Sequence, residues 1–468
     1  MTQGSHTHPL VVVANRLPVS RSDSGFVAAA GGLVTALRPV IDEQGGMWVG
    51  WDDDPDGIPS HVDGLNAQLF PVGLDDALVD GFYHGFANRF LWPLFHDLIV
   101  SPVYQQAWWD TYVTVNRQFA TQVSAAIATA KTQPLVWIHD YHLMLLPEMV
   151  RTSYPETPIG FFLHIPFPPP ELVARIPGRV ALLRGMLGAN AVAFHTDAYR
   201  QNFLRAVAQF LPDVTILDSH VRLADGRMVR IEAHPISIDV DMFTDLATAS
   251  ETISHFEQLQ TQFANRRVLL GVDRLDYTKG IRHRLRAVEH LYETDPTYAK
   301  QVVYIQIAVP SRDDVTEYQA LRTNVEMELG RINGRFTAPG HDVPVHYLFR
   351  GVSRNELAAY YLLADVMCVT PLKDGMNLVA KEFVTVQHAA QRDGVLLLSE
   401  FCGTAEVFGN DAVLTNPYDV AGQSANIAAA LAFTREDRKG RLERMATRVR
   451  NHDVYRWVNE ELQAILAP

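Results

Sequence analysis

The sequence predicts an α/β protein made of two doubly wound parallel sheets. Three observations carry this. Short apolar, β-branched runs alternate with helical stretches through both halves of the chain. Several of those runs deliver polar residues at their carboxyl ends, where open α/β sheets bind ligands. The chain is also long, at 468 residues, beyond what one hydrophobic core supports.

In order, Leu10 to Ala14 (LVVVA) reads as a buried parallel strand that runs into the loop Asn15-Arg16-Leu17-Pro18. Gly31-Gly32 then precedes a helical stretch, Leu33 to Glu43. The glycine pair is either a phosphate-binding turn or a plain one, since it lacks the third glycine of the dinucleotide fingerprint. Met47 to Trp51 and Gln68 to Val72 read as strands. Tyr83 to Trp92 (YHGFANRFLW) is aromatic-rich with no clean helical or strand period, and suits either a core segment or a sugar-binding wall. Trp108 to Lys131 is a long amphipathic helix. Leu135 to Asp140, Ile159 to Phe167 and Ala191 to Thr196 are strands with polar carboxyl ends, among them Asp140 and His164.

Arg230 to Val240 is strand-like with one proline, and the domain boundary is expected near it. A second series of strands follows: 268–272, 302–309, 345–349, 365–370, 395–399 and 412–415, with helices between. The expected domains are residues 1–236, 237–450 and a terminal helix over 451–468 that packs back on the first domain.

The second half carries the densest chemistry. Asp365 to Thr370 is an apolar strand, Met376 to Gln387 is helical, and the turn between them holds Lys373, Asp374, Gly375 and Asn377. Gly375 permits close backbone approach to a ligand. The first-turn amides of Asn377, Leu378 and Val379 and the helix dipole suit a phosphate. Glu382, two turns in, is placed for the far end of an elongated anion. The bland alternative is an acidic N-cap on a solvated helix. Arg274 and Lys279 follow the strand 268–272 and precede a helix, where the dipole opposes a cation that lacks an anion. They are either exposed salt-bridge partners of Asp273 or Asp276, or a diphosphate clamp. Arg312, after the strand 302–309, suits bidentate phosphate binding.

Composition excludes several classes. Hydrophobic residues at 47% and charged residues at 20% are ordinary for a globular protein. A formal net charge of −13 argues against nucleic-acid or anionic-membrane partners, so an anion site must be local. Cys368 and Cys402 lie in apolar runs and supply neither a disulfide framework nor a metal quartet. The start, MTQGSHTHPL, lacks a signal pattern, and no apolar run reaches membrane-spanning length, so a cytoplasmic location is expected.

Taken together, these residues carry a resemblance. The chain resembles the trehalose-6-phosphate synthase family, retaining glycosyltransferases of two-Rossmann (GT-B) architecture whose domains face a cleft. The resemblance rests on Asn15-Arg16, Gly31-Gly32-Leu33, Trp48 to Trp51, Leu91-Trp92-Pro93, His139 to His142, Phe161 to Pro168, Arg274 to Gly280, Gly330 to Gly334 and Asp374 to Glu382. Ala193 stands where the family often has glycine.

The resemblance implies transfer of glucose from UDP- or ADP-glucose to glucose 6-phosphate, giving α,α-trehalose 6-phosphate with retention. It implies donor contacts from Gly32, Arg274, Lys279, Val352, Asp374, Gly375, Met376, Asn377, Leu378, Val379 and Glu382, and acceptor contacts from Arg16, Tyr83, Trp92, Asp140 and Arg312. Arg274, Lys279, Asp374 and His164 would be catalytic. No cofactor and no metal are expected, and a homo-oligomer, dimer or tetramer, is. Two alternatives stay open: a sister synthase using another phosphorylated acceptor such as glycerol phosphate, and a regulatory homologue that binds without turnover.

Overall fold

The structure is a computed structural model. It describes residues 8–22, 25–28, 34, 37, 41, 45–99, 102–310, 316–340 and 342–467. Gly31, Gly32 and Arg312, and most of the helical stretch expected over 33–43, lie outside the described residues. The chain divides into two compact units, Met1–Ile236 with Val454–Pro468, and Ser237–Asp453.

The strands of the first unit are β1 (Leu10–Arg16), the hairpin β2 (Val19–Ser22) and β3 (Gly25–Ala28), β4 (Gly46–Asp52), β5 (Ala67–Gly73), β6 (Leu135–His139), β7 (Ile159–Phe162), β8 (Ala191–Phe194), β9 (Thr215–Leu217), β10 (His220–Arg222) and β11 (Met228–Ala233). The main sheet runs β5-β4-β1-β6-β7-β8-β11-β10-β9. It is parallel from β5 to β11 and ends in an antiparallel β10–β9 edge. Strands β9 and β10 have three residues each, too short for a periodic signal, and the sequence did not predict them. The chain winds outward from β1 on one side and from β6 on the other, so the topological switch point lies between β1 and β6.

The strand expected over 159–167 stops at Phe162. Beyond it the prolines at 166 and 168–170 have no N–H to continue a ladder. The segment Asp80–Leu91 is a π-helix, which explains the missing period, since neither a 3.6 nor a 2.0 repeat fits it. It packs on the helix Gln106–Thr129 through glycines: a Cβ at Gly85 would stand 2.6 Å from the Trp108 ring, and one at Gly81 2.6 Å from Thr111. That helix buries Trp108, Tyr112, Val115, Phe119, Val123 and Ala126, one apolar stripe at helical spacing.

The terminal helix Val454–Leu466 belongs to the first unit. Trp457 lies 5.2 Å from both the Trp137 and Phe162 rings. A Cβ at Gly160 would meet the Ile465 side chain, so glycine lets that side chain seat directly on β7. His234 Nδ1 lies 2.6 Å from Glu461 Oε1. Burial opposes the charged imidazole, but the Glu461 carboxylate outweighs it and holds His234 above its ordinary value. Burial pushes the Glu461 carboxyl up as well. Both groups therefore keep protons to higher pH in the folded chain. The His234 contribution is full below about pH 6.5, the unfolded histidine value, and is lost as pH rises through the folded one; the Glu461 contribution is full only below about pH 4.3 and is lost through its own folded value. Glu461→Gln should flatten the fall of Tm with pH above neutrality. Melting scans from acid to alkaline pH check this; unchanged slopes would remove the pair from the account.

The second unit holds β12 (Arg267–Arg274), β13 (Val302–Val309), β14 (Val345–Leu348), β15 (Val366–Val369), β16 (Val395–Ser399) and β17 (Val413–Thr415), ordered β14-β13-β12-β15-β16-β17 and all parallel. Alternate residues serve two cores. Val268, Leu270, Met367 and Val369 fill one, and Leu269, Val366 and Cys368 the other. Both faces are covered, which is why the strands read as unbroken apolar runs. The switch point here lies between β12 and β15.

Candidate active site

Each unit concentrates its polar residues at its own switch point. In the first, Arg16 ends β1 and Asp140 follows β6. The Arg16 guanidinium sits 3.5 Å from the Trp51 ring centroid and 6.0 Å from that of Tyr83. Its Nη1 donates to Asp53 Oδ1 at 3.2 Å. Both partners of that ion pair are solvated, so it contributes little and leaves Arg16 able to meet an anion. Tyr83 stacks on His142, with centroids 5.9 Å apart. Trp92 is buried, its ring against His96 and Tyr141. Trp51, Asp53 and His142 were not singled out as site residues. Their signals in the sequence are the tryptophan pair of β4, which reads equally well as core, and the polar run His139 to His142.

Asp140 adopts φ 76° and ψ 169°, a region that side chains other than hydrogen rarely enter. Its backbone N–H donates to Phe162 O at 2.8 Å, and its Oδ1 accepts the His164 N–H at 3.2 Å. His164 Nε2 lies 3.1 Å from His139 Nδ1. Burial lowers the pKa of His164 to about 3, and burial followed by the His164 charge lowers that of His139. Both are neutral at physiological pH, so His164 can bond a hydroxyl but brings no positive charge.

In the second unit the loop after β12 carries Arg274, at the exposed strand end, and Lys279. The turn after β15 carries Asp374. Lys279 Nζ pairs with Asp374 Oδ2 at 2.6 Å, both side chains about a tenth exposed. This corrects the expectation of a cation opposed by the helix dipole, or paired with Asp273 or Asp276. Asp273 instead binds Arg284, and Asp276 Oδ1 caps the Tyr277–Lys279 turn through the Thr278 N–H. Gly280 has φ 67°, and a Cβ there would stand 2.3 Å from Thr370 O, so the two loops touch at backbone level.

The helix Leu378–Ala389 starts at Asn377, whose Oδ1 accepts from the Ala380 N–H at 3.2 Å. Asn377, not Asp374, is the cap. The helix is largely buried rather than solvated. The Asn377 N–H, expected as a free donor, is taken by Thr404 Oγ1 at 3.0 Å. The amides of Leu378 and Val379, in the first turn, have no intrahelical acceptor. Gly375, Met376 and Asn377 are buried beside Asp374, whose Oδ2 also accepts from Asn377 Nδ2 at 3.3 Å. Glu382 is half-buried and accepts from the Tyr361 hydroxyl at 2.8 Å. Burial pushes its carboxyl up, and that hydroxyl pulls it down less. Val352 is partly buried after β14. Among the described residues, no three or more His, Cys, Asp or Glu are grouped to hold a metal ion. No described helix is long and apolar enough to cross a membrane.

The family model for glycosyltransferase family 20 matches residues 8–467. The chain belongs to that family.

Other members match along their whole length. A trehalose-6-phosphate synthase of Mycobacterium sp. (strain KMS) is 42% identical over 475 residues, covering 99% of this chain and 96% of that one. A UDP-forming α,α-trehalose-phosphate synthase of Burkholderia xenovorans, solved with glucose 6-phosphate, is 32% identical with a TM-score of 0.87, over 98% of this chain and 99% of that one. An E. coli structure of the same kind, bound with UDP-2-fluoro glucose, is 32% identical with a TM-score of 0.88 over the same shares. As a family 20 member the chain is a glycosyltransferase, with the two-domain α/β fold of these structures.

Proposed function

We propose that this glycosyltransferase moves glucose from UDP-glucose to the anomeric oxygen of glucose 6-phosphate, with retention, giving α,α-trehalose 6-phosphate. The observation that carries it is the paired switch-point chemistry: Arg16 beside the Trp51 and Tyr83 rings in one unit, and the Lys279–Asp374 pair beside the Leu378–Val379 amides in the other. The two relatives that bind a UDP-sugar analogue and glucose 6-phosphate supply the ligand classes.

In the first unit, Arg16 takes the acceptor phosphate, with Tyr83, Trp92 and Asp140 around the sugar. In the second, Arg274 and Lys279 meet the diphosphate, Leu378 and Val379 give it amides, Glu382 takes the ribose and Val352 the base side. Gly32 and Arg312 are assigned to diphosphate and acceptor phosphate by resemblance. Asp374, Gly375, Met376 and Asn377 hold the transferred glucose, and His164, a neutral hydrogen-bonding group, is assigned to that glucose by resemblance.

The bond that breaks joins the glucose anomeric carbon to the β-phosphate oxygen, and the bond that forms joins that carbon to O1 of the acceptor. The acceptor proton leaves with the β-phosphate. Negative charge grows on the diphosphate, where Lys279, Arg274 and the helix amides stabilise it.

A panel of UDP-, ADP- and GDP-glucose against glucose 6-phosphate, glucose and glycerol phosphate tests the assignment. Strong preference for glucose 6-phosphate, with only slow turnover of plain glucose, supports it, and preference for glycerol phosphate sinks it. Within that panel, Arg312→Ala should weaken use of glucose 6-phosphate by about 10–100-fold, the worth of one charge-assisted contact, and leave slow turnover of plain glucose unchanged. Equal loss on both would cancel the role. Dialysis against a strong chelator should leave most turnover in place; full loss restored by a divalent ion would mean that the protein cations do not neutralise the diphosphate unaided.

A further inference from the structure

The loops that carry Lys279 and Asp374 rest on a side chain to which no ligand contact is assigned above. Arg284 lies one turn into the helix Ile281–Thr294 and is completely buried. Its Nη1 pairs with Asp273 Oδ2 at 2.7 Å and reaches Gln306 Oε1 at 3.1 Å. Its Nε donates to Thr370 Oγ1 at 2.9 Å, and its Nη2 to the Lys279 carbonyl at 3.1 Å. One rigid guanidinium thus bridges the end of the Tyr277–Lys279 turn and the last residue before the Pro371–Asn377 turn.

The surroundings are built for it. Gly271 sits mid-strand in β12, where glycine ordinarily weakens a sheet and marks a close approach. A Cβ there would stand 2.4 Å from Arg284 Nη1. The two loops are joined directly as well, the Leu372 N–H donating to Thr278 O at 2.7 Å. The spacing of Lys279 Nζ and Asp374 Oδ2 is therefore set from beneath by Arg284. A planar fork can hold both anchors at once, and an ammonium cannot.

We infer that Arg284 is a positioning residue for the transfer reaction: it fixes the Lys279 loop against the Asp374 turn so that the cation meets the leaving diphosphate. This rests on the proposal that the second unit takes a nucleoside-diphosphate sugar.

Three variants test it, each assayed for steady-state kinetics, UDP affinity by calorimetry, and melting. Thr370→Val removes one anchor at constant volume, Arg284→Lys keeps a charge for Asp273 but not the fork, and Thr370→Ser is the conservative control. Loss of one bond to a charged group corresponds to about 10–100-fold. Thr370→Val should lower kcat by about that factor and weaken UDP by several-fold, with KM for glucose 6-phosphate unchanged and Thr370→Ser close to wild type. Arg284→Lys should lose more of both. A folded Thr370→Val that keeps wild-type kcat and UDP affinity overturns the inference, because a merely structural Arg284 would alter melting alone. If wild type binds UDP but forms no disaccharide phosphate, the assigned reaction fails, and the UDP measurements judge Arg284 by themselves. If wild type binds no UDP, both fail.

Discussion

Lys279→Met should lower kcat by about 10²–10³-fold, the usual cost of removing one preorganised group from developing negative charge. It should also lower Tm. From the sequence alone no loss of stability follows, because a lone cation near a helix N-terminus is mildly unfavourable. The structure reverses that sign: Lys279 is the partner of Asp374 at 2.6 Å in a site about nine-tenths enclosed. Removing it takes the counter-charge from a largely buried carboxylate, at a cost of about 3 kcal/mol, the low end for a buried pair. For a unit of this size that is a fall of about 6–12 °C. The double variant Lys279→Met with Asp374→Asn should regain most of the stability and none of the turnover. A single variant that melts like wild type would contradict the pairing, and one that turns over normally would make Lys279 a structural residue.

Position 140 should show an inverted preference between alanine and glycine. Glycine ordinarily destabilises relative to alanine through the unfolded chain, by about 0.4–1 kcal/mol. At φ 76° and ψ 169° any side chain is strained, by about 1–3 kcal/mol. Asp140→Ala keeps that strain and loses the bond from the His164 N–H. Asp140→Gly loses the same bond but relieves the strain. The glycine variant should therefore melt higher than the alanine variant, while both lose about 10–100-fold in turnover with glucose 6-phosphate, consistent with one lost charged contact at the sugar. Urea unfolding of the two variants decides it; alanine above glycine would mean that the backbone there is unstrained. Strain held by an aspartate at a switch point is what a positioned ligand group would require.

Much of this was legible in the sequence, for identifiable reasons. The strands of the second unit are buried on both faces and so announce themselves as apolar runs, and their polar carboxyl ends marked Lys279 and Asp374. What stayed hidden was pairing across sequence distance. Nothing in the order of residues says that Lys279 meets Asp374 rather than Asp276, or that Thr404 occupies the Asn377 amide. In the sequence Arg284 is one more helix arginine, and nothing there ties it to the space left by Gly271. The π-helix of Asp80–Leu91 and the three-residue strands β9 and β10 escaped because their periods fit neither template or had no length to show one.

The most direct measurement is proton and carbon NMR of the product formed by the purified chain from UDP-glucose and glucose 6-phosphate. The account predicts one non-reducing disaccharide phosphate with both anomeric centres α, joined through their anomeric oxygens, released in step with UDP. A β configuration at the transferred glucose, a reducing product, or UDP released with free glucose and no disaccharide would contradict it.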